Sequence, residues 1–167
     1  MRSRRFRTIA ASLGVATLAT TGVLINGSSA QAATSACYDN QKTIALPGKP
    51  DVWVGVELCI YHTSADRRLA SADVTWDGAF LGGTRFDLFE ILIRIERNDT
   101  VYNHLWCDFT AEINSEPSSG YSHWYCSVAY TSAADGGWSA DGSVVYNVNN
   151  DGKGDMVWDL HGTALIS

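Results

Sequence analysis

From Val52 to Tyr61, apolar and polar positions alternate. Val52, Val54, Val56, Leu58 and Ile60 fall on one side, with Trp53, Glu57, Cys59 and Tyr61 on the other. The stretch from Phe89 to Glu96 repeats the pattern, with Phe89, Ile91, Ile93 and Ile95 alternating with Glu90, Leu92, Arg94 and Glu96. Successive side chains of a strand point to opposite faces, so a period of two predicts antiparallel strands with one face toward a core and one toward water. Asn98-Asp99 interrupts the second run and Val101 to Thr110 resumes it. Both turn residues tolerate positive φ, which predicts a tight hairpin. Further strands are predicted near 37–46, 69–76, 121–131, 142–148 and 155–166. Turn chemistry separates them at Pro47-Gly48, Asp77-Gly78, Gly82-Gly83, Glu116-Pro117, Asp135-Gly136-Gly137 and Asp151-Gly152. Nothing after residue 32 sustains a 3.6-residue apolar period. About eight short strands predict an all-β fold, an antiparallel β-sandwich or jelly roll.

The first 32 residues read differently. Arg2, Arg4, Arg5 and Arg7 stand at the start with no acid among them, a weakly apolar run follows from Thr8 to Ile25, and Ala30-Gln31-Ala32 supplies small residues. That is the order of a secretory signal peptide. Thr8, Ser12, Gly14, Thr17, Thr20, Thr21 and Gly22 make the run a poor membrane span. Phe6, directly after the Arg4-Arg5 pair, fits twin-arginine spacing badly and favours the general secretory route. Cleavage after Ala32 is expected to leave a single domain, 33–167, long enough for one sizeable core.

Removing the leader changes the charge. Four of the 12 Lys and Arg precede residue 33, leaving eight against 18 Asp and Glu, so the net charge moves from −6 to −10. Such a surface repels phosphate, which argues against nucleic-acid binding and against anionic membranes. The four cysteines, Cys37, Cys59, Cys107 and Cys126, all follow the leader and include no C-x-x-C spacing. In an exported chain they predict two disulfides rather than a zinc or redox site. Of the three possible connectivities, Cys37–Cys59 and Cys107–Cys126 are favoured, because each pair is close in sequence and can join neighbouring strands.

If Cys107 faces Cys126 on an antiparallel pair, opposed residues sum to 233, so Leu105 meets Val128 and Phe109 meets Trp124 on a core side. The reverse side then collects Tyr102, His104, Trp106 and Asp108 with His123 and Tyr125, a polar and aromatic face suited to a ligand. A slip of one residue would invert it. Trp138, between Gly137 and Ser139, is expected to be a second exposed ring. Most of the six tryptophans are expected in or near the core, since aromatic residues favour strands.

The segment Asn147-Val148-Asn149-Asn150-Asp151-Gly152-Lys153-Gly154-Asp155 resembles the D-x-[DN]-x-D-G-x-x-D loops of calcium-binding proteins. The resemblance covers nine residues and implies a weak calcium site at Asn147, Asn149, Asp151 and Asp155. It departs from the pattern at Asn147 and at Trp158, which stands where a twelfth-position Glu would be. The alternative is a plain hairpin loop, since turns favour the same residues. Catalytic signals are sparse. There is no G-x-S-x-G or H-E-x-x-H, and His62, His104, His123 and His161 show no metal-ligand spacing. Glu57 and Asp108 are the best available pair for a glycosidase.

These features favour a secreted, monomeric, non-catalytic protein that binds an extracellular carbohydrate or protein. An inhibitor-like loop at Ile113–Gly120, closed at its base by Cys107–Cys126, is one form of that reading. A small secreted hydrolase on a jelly-roll scaffold and a passive envelope or spore-coat component are the alternatives.

Overall fold

The structure, a computed structural model, describes residues 34–64, 66–79, 82–115 and 124–167. The predicted leader and His123 lie outside them. The chain runs β1 (Ser35–Ile44), β2 (Val52–Ser64), β3 (Arg67–Asp77), β4 (Phe86–Arg97), β5 (Thr100–Asp108), a short helix α1 (Thr110–Ser115), β6 (Trp124–Thr131), β7 (Trp138–Val148) and β8 (Met156–Asp159). The strands form two antiparallel sheets of four, ordered β1-β2-β3-β6 (sheet A) and β5-β4-β7-β8 (sheet B).

The two alternating runs supply much of the core. Val52, Val54, Val56, Leu58 and Ile60 of β2 are buried, as are Phe89, Ile91, Ile93 and Ile95 of β4. Ala70, Ala72, Val74 and Trp76 of β3 and Val144, Tyr146 and Val148 of β7 join them. Burying each large aliphatic side chain contributes about 1.5–3 kcal/mol, enough to fix which face of each strand turns inward. The β4–β5 hairpin is as the sequence predicts: Asn98 and Asp99 have φ of 49° and 62°.

Both predicted disulfides are present, but they do different jobs. Cys37 lies directly opposite Cys59 on the β1–β2 pair. Cys107 and Cys126 are bonded but not on paired strands. Cys107 stands opposite Ile91 on β4, and Cys126 opposite Ala72 on β3, so this bridge ties the edge of sheet B to the edge of sheet A. The expected register between β5 and β6 is therefore wrong. Leu105 lies opposite Ile93 instead of Val128 and stays 40% exposed, because β5 is an edge strand; Trp124 lies opposite Val74 instead of Phe109.

Two further expectations are corrected. The strand predicted through residue 166 ends at Asp159; beyond it the chain returns along β7 through Thr163 N–H to Ala140 O and an isolated bridge between Trp138 and Ile166. The strand predicted through Thr110 stops at Asp108 and gives way to α1. There Asp108 Oδ1 accepts from the Thr110 N–H at 2.8 Å, while Phe109 and Ile113, four apart, are both buried. The Thr110 hydroxyl and N–H together hold the Asp108 carboxyl below the usual carboxylate range. Ile113, the first residue of the expected inhibitor-like loop, is thus a core residue; residues 116–120 of that loop lie outside the described residues. Asn114 fixes the helix to β4, its Oδ1 accepting from the Arg85 and Phe86 N–H groups and its Nδ2 donating to Phe86 O.

Candidate functional site

Alternation that buries one side of β2 leaves Trp53, Gly55 and Glu57 on the outer face of sheet A. Gly55 decides the local shape. A Cβ at this position would come within 2.7 Å of Trp53 Cη2 and 2.8 Å of Thr75 Oγ1. The outer end of the Trp53 ring, Cη2 and Cζ2, therefore lies over Gly55, and the residue keeps 37% of its surface exposed. Beside it is a groove of about 230 Å³ lined by Asp39, Gln41, Trp53, Gly55, Glu57, Asp73 and Thr75, with Asn40 and Val56.

Register explains how residues from three strands meet there. Asp39 is opposite Glu57, Glu57 opposite Asp73, and Asp73 opposite Tyr125. These four form one row across the sheet. Gln41, Gly55 and Thr75 form the next row. Asp39 and Glu57 are exposed, Asp73 is half-buried, and Tyr125 is 56% exposed at the far edge. None of the residues lining the groove is basic. Lys42, on β1, reaches the opposite side of the strand, where its Nζ lies 5.2 Å from the centre of the Tyr146 ring and 5.6 Å from that of Trp158. Glu57 also lies within 4.8 Å of Cys37 and Cys59, but both sulfurs are in the disulfide and so are not thiolate ligands for a metal. An aromatic plate flanked by carboxylates, an amide and a hydroxyl can stack on a sugar ring and hydrogen-bond its hydroxyl groups.

The face expected on β5 and β6 is not assembled. Because those strands do not pair, Trp106 and His104 lie on sheet B, opposite Leu92 and Arg94, while Tyr125 lies on sheet A. Tyr102 sits at a bulge between the Ile95–Asn103 and Glu96–Val101 pairs. Its ring approaches Tyr130 and Trp138, each at 5.3 Å between centroids. Asp108 is occupied in capping α1. Trp138 is fully buried rather than exposed. Arg68 and Arg97 lie over its ring at 5.5 and 5.8 Å, and its Nε1 donates to Ala134 O at 2.8 Å. β7 begins at Trp138, opposite Arg97, directly after Gly136 and Gly137, both of which take positive φ.

Glu57 and Asp108 stand on different sheets, so they do not flank one cleft. Elsewhere on sheet B, Glu96 is nearly buried. Burial, and then the charge of Asp141, push its carboxyl above the ordinary glutamate range, and Arg94 at 2.9 Å offsets part of this.

In the Asn147–Asp155 loop the side chains engage one another. Asn147 Nδ2 donates to Asp155 Oδ1 at 2.9 Å, Asn149 Nδ2 to Asp87 Oδ1 at 2.7 Å, and the Lys153 N–H to Asp151 Oδ1 at 2.9 Å. Asn150, Gly152 and Gly154 take positive φ, which gives the segment the geometry of a compound turn.

To Trp53 and Glu57, which share one face of β2 in the sequence pattern, the structure adds Asp39 and Gln41 from β1 and Asp73 from β3. The local signal for the groove is the outward Trp-x-Gly-x-Glu series on β2, in which a glycine among outward-facing positions marks a place where something lies close to the backbone; the residues of β1 and β3 depend on strand pairing. No protein-family model matches the chain, and no curated protein or solved structure is significantly similar to it.

Proposed function

We propose that this protein is an exported, non-catalytic binding module that holds an extracellular polysaccharide against the outer face of sheet A. The observation that carries the reading is the Trp53 ring laid over Gly55 beside a groove of polar side chains. Sugar rings offer C–H faces to an aromatic plate and hydroxyls to carboxylates and amides, and this groove supplies both at adjacent rows of one sheet. A rigid sheet also limits the ordering cost of binding, because its backbone is already fixed.

Export rests on the leader-like first 32 residues and agrees with two disulfides; among the described residues no helix is long and apolar enough to cross a membrane. Glu57 and Asp108, the pair favoured for a glycosidase, lie on different sheets.

Co-sedimentation with insoluble cellulose, chitin, chitosan and xylan tests the proposal. The wild-type chain is expected in the pellet with at least one of them, and the Trp53→Ala variant in the supernatant with an unchanged unfolding midpoint. Equal retention of Trp53→Ala, or no retention of the wild type on any of the four, would overturn it.

A further inference from the structure

Resting on the reading above, we infer that the site runs obliquely across sheet A from Trp53 to Tyr125, and that its ligand is an extended, β-linked polysaccharide touching both rings through about three consecutive units. Trp53 is on β2 and Tyr125 on β6, yet the register puts both on the outer face, because Glu57 is opposite Asp73 and Asp73 opposite Tyr125. The outer end of the Trp53 ring lies over Gly55, on the same side of β2 as Glu57. Two strand spacings of about 4.8 Å and two residues of about 3.4 Å place Tyr125 roughly 12 Å from position 55. β3 crosses that path between Thr75 and Asp73. Both carry short, half-buried side chains, so among the described residues nothing bulky stands between the two rings.

The two rings also lack the packing that occupies other aromatic side chains. Among the described residues Tyr102, Tyr130 and Trp138 pack on one another and Trp76 lies on Trp124, whereas Trp53 and Tyr125 touch no other ring and stay 37% and 56% exposed. Each offers apolar area to the C–H face of a sugar, and the tyrosine adds a hydroxyl at its rim. One sugar ring is far shorter than the span between them, so a single unit rests on one plate only. In an extended β-1,4-linked chain, alternate units turn the same face to one side. Units i and i+2 can therefore lie on the two plates while the unit between passes over Thr75 and Glu57. An α-1,4-linked chain curls away from a plane and cannot hold two such units on one sheet. Contacts joined in one ligand reinforce each other, because the second is made without a second loss of translational freedom.

Titrations followed by the Trp53 indole N–H signal test the inference, with β-1,4-linked dimers and hexamers of glucose, N-acetylglucosamine, glucosamine and xylose, and with the α-linked glucose hexamer. In the series that binds, the hexamer is expected to be held about ten-fold more tightly than the dimer, and about ten-fold more tightly than the α-linked hexamer. Tyr125→Ala should weaken the hexamer about five-fold and leave the dimer within about two-fold of the wild type. Tyr125→Phe, which keeps the ring, should hold the hexamer within about two-fold of the wild type, as should Trp106→Ala on sheet B. Equal affinities for dimer and hexamer would overturn the inference and leave the sugar-binding reading in place, by ending the site at Trp53. So would an unchanged hexamer affinity in Tyr125→Ala, equal weakening of dimer and hexamer in that variant, or equal binding of the α-linked hexamer. Failure of every series to bind would sink the inference and the reading together.

Discussion

A methyl group at position 55 has no room. Gly55→Ala must displace either the Trp53 ring or the Thr75 hydroxyl, and the outer end of the indole is the freer of the two. The expected outcome is a folded protein whose groove is reshaped. Retention on polysaccharide should fall while the unfolding midpoint moves little, which sedimentation and thermal unfolding together can check. Asp108 makes a complementary case, because its value is structural. Asp108→Ala removes the cap of α1 and should cost about 1 kcal/mol in urea unfolding, with polysaccharide retention unchanged.

Glu96 gives a pH dependence of definite sign. Its folded-state carboxyl binds a proton more tightly than it does in the unfolded chain, since burial and Asp141 raise it above the ordinary range. Between the ordinary value and the raised one, the native state holds more protons, so stability contributed by this group falls as pH rises. Glu96→Gln should flatten that slope and leave the protein equally or more stable at neutral pH. A steeper loss of stability with rising pH in the variant would contradict the assignment.

At the scale of elements, strand identity is legible in the sequence wherever alternation is long. Runs such as 52–60 and 89–95 admit only one inward face, and the burial of Val54, Leu58, Ile91 and Ile93 follows it. Strand partnership is another matter. A disulfide reports that two residues touch, and it reads the same whether it joins paired strands, as Cys37–Cys59 does, or two edges, as Cys107–Cys126 does. The residue sum taken from Cys107–Cys126 fails, whereas in the β1–β2 pair, where the bridged cysteines are directly opposite, the same rule would hold and Asp39 lies opposite Glu57 and Thr43 opposite Trp53. The third acid of the row, Asp73, depends on the β2–β3 pairing, whose register shifts between His62 and Ser64. No local pattern announces that shift. A six-residue helix likewise spans less than two turns, too short to show a period of 3.6.

The β7–β8 connection belongs to this scale as well. Its Asp155 and Asp151 oxygens already accept from Asn147 and the Lys153 backbone, Asn149 is tied to Asp87 on β4, and its glycines supply the turn. Calcium at several millimolar is therefore expected to leave the thermal midpoint unchanged, because a ligand stabilises only as far as it occupies its site. A rise that grows with calcium concentration would instead establish the loop as an ion site.

For the molecule as a whole, two sheets are held face to face by a shared apolar core and stitched at one edge by a single covalent bridge. Replacing Cys107 and Cys126 together by alanine should lower stability by about 3 kcal/mol in the chain-entropy account. Unfolding is expected to remain one cooperative transition, since the core contacts between sheets persist. The same architecture separates two exposed surfaces. Trp53 and the acidic row face outward from sheet A, whereas Trp106 and Leu105 sit on the edge strand of sheet B, 47% and 40% exposed.

That separation makes the most direct test a map of where a ligand touches. In ¹H–¹⁵N correlation spectra, a soluble oligosaccharide of whichever polymer retains the wild type should shift the Trp53 indole N–H and the amides of Asp39, Gln41, Gly55, Glu57 and Asp73, and leave Trp106 and Leu105 in place. Shifts confined to residues 101–106, or none at saturating oligosaccharide, would contradict the account.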